Sequence, residues 1–382
     1  MNVLKVNPAL VHKTRIIQIQ SQQIKQMPKI RLANLVNMPE NEFAKMIKGI
    51  EENPLFKKLM YPENYKEKVI GYRRFPHTDM SQKFYELKEE IVKDSSLPEI
   101  ELLIAEKKEI LNLARKIGEE KFKKYFLYCE DSISLKQIAR ECNLSISEVK
   151  KLMEFVNNIS IYNEFYHPSN LSVDSQIHYT KVASINKNSS GKLLINFLSP
   201  QYVRGIYKID YDKLEHLKSS GNFSEEELKQ LNELVKNIEL INNRKTTLYK
   251  VIRQILEKQR AYFNSGDISD LKPYQQKELA KEINIDPSLV CRAINGRSID
   301  TPFGEEKPLK YFFPGEKIKI EILVKNIIQD EKNKLKRKII IKPYNDEQIK
   351  NILERKYKIS IARRTVREYR NKLGIPSAMH QR

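Results

Sequence analysis

Two stretches of this chain, LKQIARECNLSISEVKKLMEF at 135–155 and QKELAKEINIDPSLVCRAING at 276–296, share a pattern that leaves little choice of fold. In the second, Leu279, Ile283, Ile285, Val290 and Ala293 supply apolar positions at helical spacing, and Ala280 is small where two helices would cross. Asn284 stands where a tight turn needs left-handed backbone, which asparagine tolerates better than most residues. Asp286-Pro287 then opens a second helix, because an acidic cap followed by proline at the first helical position wastes no hydrogen bond. Ser288, Leu289 and Arg292 would project outward from it. The first stretch repeats the pattern with Ile138, Ala139, Cys142, Asn143, Leu144, Val149 and Leu152, and Ser145 with Glu148 forms a capping box. Its second helix exposes Ser147, Glu148 and Lys151 without any arginine, so it reads as a helical packing or protein-docking unit.

A third helix-turn-helix lies near the end of the chain. Ile349, Ile352 and Leu353 give a first helix, ERKYKIS a long turn, and Ala362, Val366, Tyr369 and Leu373 the inward stripe of a second. That spacing sends Arg363, Arg364, Arg367 and Arg370 away from the core, and Gly374 and Pro376 stop the helix. Arginine matches guanine O6 and N7 bidentately in the major groove and also pairs with phosphate. A short helix with outward arginines near its N-terminus therefore suits base reading.

Charge agrees with that reading. The chain carries a formal +20, and from Lys307 to Arg382 it holds 21 Lys+Arg against 8 Asp+Glu, a net +13. Such concentration points to a polyanionic partner. No apolar run has membrane-spanning length, and the N-terminus lacks the features of a secretory signal, so a cytoplasmic protein is expected. Cys129, Cys142 and Cys291 are too far apart for a zinc site or a disulfide scaffold. There is no phosphate-binding glycine loop, no clustered acidic metal ligands and no ordered nucleophile–base set. Neither an enzyme nor a cofactor or metal site is expected.

At 382 residues the chain has room for two or three domains. The fold class expected is mainly α, a multi-domain helical protein with helix-turn-helix units and a small β or irregular segment near 178–209. In that segment KVASI and KLLINFL flank NKNSSG as a short hairpin. Residues 14–60 hold Ile16, Ile17, Ile24 and Met27, then Phe43, Met46, Ile47 and Ile50 at helical spacing, and read as a mobile element that docks on a partner. Residues 61–97 read as a linker, 98–221 as one large domain, 222–315 as a long helix followed by the central helix-turn-helix, and 316–382 as the last domain.

The stretch ARRTVREYR, Ala362 to Arg370, closely resembles the RpoN box ARRTVAKYR, the signature of bacterial sigma-54 (RpoN-type) factors. Seven of nine positions agree, with Arg367 and Glu368 in place of alanine and lysine. NNRKTTLYKVIRQILEKQRAYF resembles the long-helix segment of that family, and KELAKEINIDPSLVCRAINGRSIDTPFGEEKPLKYFF its central helix-turn-helix and tail. IEENPLF resembles the end of its regulatory Region I.

The resemblance implies a promoter-specificity subunit that binds double-stranded promoter DNA and core RNA polymerase. It implies a closed complex held inactive until an ATP-hydrolysing AAA+ activator remodels it. The box helix would read a GG element through Arg363, Arg364, Thr365, Arg367 and Arg370. Ser288, Arg292 and Arg297 would lie near a GC element. Residues 1–60 would act as Region I and 98–221 as the polymerase-binding domain. The alternative is a stand-alone repressor or regulator that uses the same helices without polymerase.

Overall fold

The computed structural model describes residues 30–62, 67–81, 112–113, 116–128, 134–161, 169–172, 178–188, 190–219 and 223–373. Ile16, Ile17, Ile24, Met27, Gly374 and Pro376, to which the sequence assigned roles, lie outside the described residues. The fold is mainly helical with a small sheet. It divides into two compact units, one of Met1–Ile252 with Ile285–Pro308 and the other of Arg253–Asn284 with Leu309–Arg382.

In the first unit, α1 (Glu40–Glu52) buries Phe43, Ala44 and Ile47, and α2 (Pro54–Met60) buries Phe56, Leu59 and Met60. The Asn53 side chain caps the start of α2 with proline at its first position. β1 (Ile70–Arg73) and β2 (Thr78–Met80) follow. After α3 (Glu119–Phe122) come α4 (Leu135–Cys142) and α5 (Ile146–Ile161), the first helix-turn-helix of the sequence. Asn143 adopts left-handed backbone there, and Ser145 and Glu148 cap each other as the sequence requires.

β3 (Thr180–Lys187) and β4 (Leu193–Phe197) form the expected antiparallel hairpin. Asn188 closes its turn by accepting from the Lys192 amide at 2.8 Å. Beyond them lie α6 (Pro200–Val203), β5 (Ile206–Ile209), α7 (Tyr211–Ser219) and α8 (Glu225–Lys258). The unit is completed by α11 (Pro287–Ile294), β6 (Arg297–Asp300) and β7 (Glu306–Pro308). The sheet order is β2-β4-β3-β6-β7, while β1 pairs with β5.

The sheet reaches well beyond 178–209. A lone hairpin is marginal in water, and here both sides of β3–β4 are taken by parallel partners from remote sequence, β2 on β4 and β6 on β3. Part of the stretch read as a linker therefore supplies strands. The β1–β5 pair draws its backbones together at Gly205, whose φ is +76° and where a Cβ would sit 2.2 Å from the Arg73 carbonyl oxygen.

The expectation of a mobile docking element at 14–60 does not hold for its described part. Glu40 is buried, and its Oε1 accepts from Arg244 and from Arg297, each at 2.8 Å, while Oε2 accepts from the Tyr202 hydroxyl at 2.8 Å. Arg244 also donates to the carbonyls of Leu35 and Met38, and Arg297 to that of Val36. A carboxylate that answers two buried guanidinium groups fixes α1 as part of the core, which helical periodicity alone did not reveal.

The second unit contains α9 (Arg260–Ser265), α10 (Gln276–Glu282), α12 (Glu316–Lys336), α13 (Asp346–Tyr357) and α14 (Arg363–Lys372). Leu323, Val324, Ile327, Ile328, Ile349, Leu353 and Val366 form the core shared by α12, α13 and α14. At the break after α8, buried Gln259 donates to the carbonyls of Lys272 and Phe312 and accepts from the Lys272 amide. Phe263 stacks on Phe312, which Tyr262 meets edge-on.

Burial raises the Glu40 carboxyl pKa, but the charges of Arg244 and Arg297 and the bonds from Arg297 and Tyr202 outweigh it and hold the group below the ordinary carboxylate value. Its contribution to stability is therefore present above the unfolded value, about pH 4.3, and is lost as pH falls through the folded one. Glu40→Ala is expected to cost about 3–5 kcal/mol, because it strands two buried cations. Denaturant unfolding at pH 7 checks this, and a loss below about 1 kcal/mol, the scale of a surface ion pair, would contradict it.

Candidate nucleic-acid interface

The C-terminal helix-turn-helix is built on two helix starts of opposite design. α13 opens with a full capping box, Asn345 and Gln348 each accepting from the other's backbone N–H at 2.8 Å, and with Asp346 and Glu347 in its first turn. Acids at the positive end of the helix dipole stabilise it. α14 opens on Ala362, which offers no side-chain cap, and places Arg363 and Arg364 in its first turn. Cations there oppose the dipole and the first amides lack a side-chain acceptor. Folding alone gives no reason for such a start. An incoming phosphate or base edge does.

Between the two helices, Lys358 takes left-handed backbone at φ +56° and the Ile359 amide donates to Leu353 O at 3.1 Å. Ile359 and Ile361 then pack against the core, so the turn is shorter than the sequence suggested, with α13 running on to Tyr357. Val366 is fully buried and Tyr369 and Leu373 pack partly against it, as expected. Ala362 instead is exposed at the helix start.

Three of the four arginines point outward. Arg363 and Arg367, four residues apart on one face, are exposed, as is Arg364; Thr365 is half-buried. Arg364 Nε lies 3.2 Å from Glu368 Oε1, an exposed pair worth little and easily exchanged for another anion.

Arg370 is the exception. It is 1% exposed, donating to the Tyr344 carbonyl at 2.9 Å and lying 3.4 Å from Asp346 Oδ1. The Tyr344 amide donates in turn to buried Glu331 on α12 at 2.6 Å. Burial pushes the Glu331 carboxyl up, against the opposing pull of that bond and of Arg370. The four-residue step that puts Arg370 in line with Val366 turns it inward, so it joins α12, α13 and α14 and is removed from the outward set. Sequence reasoning missed Tyr344 and Glu331, since nothing in their spacing distinguishes them from surface residues.

The central pair is as anticipated in its local geometry. Asn284 has φ +53°, and the Asp286 side chain caps α11 by accepting from the Ser288 amide at 2.8 Å. Ser288 is exposed and Arg292 half-buried. Arg297, expected beside them as a DNA contact, is 5% exposed and donates to the carbonyls of Arg292 and Ala293 as well as to Glu40. Its guanidinium thus closes the C-terminal end of α11 instead of facing solvent.

Residues 222–382 match the family model described as Sigma-54, DNA binding domain. This segment belongs to the sigma-54 DNA-binding family. The chain is also 29% identical to a putative RNA polymerase sigma-54 factor of Clostridium kluyveri over 252 residues, covering 63% of this chain and 52% of the relative. It is 26% identical to the RNA polymerase sigma-54 factor of Pseudomonas putida over 266 residues, 64% of this chain and 49% of the relative. The chain thus spans about half the length of these relatives. A solved structure titled as Aquifex aeolicus sigmaN bound to promoter DNA aligns over 77% of this chain and 98% of its own, at 23% identity and a TM-score of 0.33.

Within the sigma-54 DNA-binding segment, the box Ala362–Arg370 therefore divides into exposed and load-carrying arginines. Arg364→Ala is expected to change stability by no more than about 0.5 kcal/mol. Arg370→Ala should cost about 3 kcal/mol or more, because it breaks a buried charge network. Thermal unfolding of the two variants separates them; similar melting temperatures would contradict the division.

Proposed function

We propose that this protein is a sigma-54-type transcription initiation factor. It binds core RNA polymerase, recognises promoter DNA carrying GG and GC elements, and holds a closed complex until an AAA+ activator remodels it. The observation that carries the reading is the start of α14: an uncapped helix with exposed Arg363, Arg364 and Arg367. In this reading those arginines, with Thr365, meet the GG element in the major groove, and Ser288 and Arg292 of α11 lie at the GC element. Residues 98–221 hold polymerase and residues 1–60 regulate. ATP is spent by the activator, and this chain performs no chemistry of its own, in the cytoplasm.

The other reading, a stand-alone repressor, needs only the DNA-binding helices. It leaves the first unit, with its mixed sheet and the helix-turn-helix of α4 and α5, whose second helix holds no arginine, without a task.

Fluorescence anisotropy on duplexes with and without the GG element tests the base contact. Arg364→Ala should weaken binding by about 1–3 kcal/mol on the GG duplex and relax discrimination there. Equal loss on both duplexes would reduce Arg364 to a phosphate contact. Reconstitution with core polymerase then decides between the readings, since a factor that never joins the enzyme is a repressor.

A further inference from the structure

The last turn of α12 and the loop that follows it, residues 332–342, read KNKLKRKIIIK, six cations with no acid. Lys334 is engaged by Asp330 at 2.7 Å, but Lys332, Lys336, Arg337, Lys338 and Lys342 stand exposed. Among them Ile339 is 64% and Ile341 93% exposed. The stretch thus offers apolar side chains as well as charge to a polyanionic surface.

Position decides which contact. The loop leaves α12 at Arg337 and rejoins the fold at Tyr344, whose amide is held by Glu331 and whose carbonyl is held by Arg370 of α14. Arg370 lies seven residues along α14 from Arg363, roughly 10 Å of helix axis. A loop fastened at Tyr344 to the C-terminal half of α14 is held close to that helix, within reach of the phosphates that flank the groove it would read.

We propose that residues 336–342 form a second DNA contact of the C-terminal domain. Lys336, Arg337, Lys338 and Lys342 grip the phosphates flanking the element read by α14, and Ile339 and Ile341 rest against the edge of the minor groove. This rests on the DNA-reading role proposed above and adds to it a sequence-independent clamp. Apolar side chains flanked by cations suit that groove, whose floor carries little sequence information. Phosphate contacts set register and affinity, leaving discrimination to the arginines of α14.

The test uses the full chain and two duplexes, one carrying GG and one with it replaced, titrated across salt concentrations. One variant combines Lys336→Gln, Arg337→Gln, Lys338→Asn and Lys342→Gln, asparagine being chosen for the left-handed backbone at Lys338. Its affinity should fall by the same factor on both duplexes, and the slope of log K against log salt should shrink by about 0.9 for each phosphate contact removed. The second, Ile339→Ser with Ile341→Ser, should weaken both complexes and leave the slope alone. In each, the preference for GG should persist as evidence that α14 is intact.

A charge variant with the parental slope on a protein that still prefers GG overturns this inference alone. Loss of core-polymerase binding with unchanged DNA affinity overturns it in favour of a protein partner. A parental chain that binds neither duplex removes the proposed function and this inference together.

Discussion

A guanidinium group taken out of water needs carboxylate and carbonyl acceptors, and both units of this protein bring remote segments together to supply them. In the first, Arg244 and Arg297 converge on Glu40 and reach the backbone carbonyls of Leu35, Val36 and Met38, so segments more than two hundred residues apart are joined at one carboxylate. In the second, Arg370 meets Tyr344 and Asp346, with Glu331 one bond further back. Apolar packing supplies the bulk of both cores, but it is directionless. The buried arginines give direction, since a helix shifted by one residue would leave a charge without its partners.

This fixity is what frees α14 to be locally unfavourable at its other end. The helix begins without a side-chain cap and with cations against its dipole, both unfavourable by ordinary helix rules. The helix is held by Val366 in the core and by the Arg370 bonds further along, so the first turn can keep its arginines exposed without fraying the unit. Rules broken in one place and compensated in another are the mark of a site kept for binding. One nine-residue motif thus serves two ends. Arg363, Arg364 and Arg367 stay exposed for the recognition proposed above, and Arg370 serves the frame.

Much of this was legible in the sequence. Asn143 and Asn284 take the left-handed turns assigned to them, Ser145 with Glu148 and Asp286 with Pro287 cap as read, and the hairpin falls at KVASI and KLLINFL. These features are local, and local chemistry decides them. What could not be read depends on partners far along the chain. β2 is three residues long and becomes a strand only because β4 offers it an edge. Arg297 and Arg370 look like any exposed arginine until Glu40 and Tyr344 are brought to them. Ile341 looks like core by composition and is bare in the fold.

The account stands or falls on whether α14 sits in a major groove over guanines. Guanine N7 methylation protection measures this directly on a duplex bearing the GG element, with the unaltered protein and with Arg364→Ala side by side. The expected result is protection of both guanines by the unaltered protein and loss of protection confined to them in the variant. Guanines that stay fully reactive under saturating protein, or protection that the variant leaves unchanged, would contradict it.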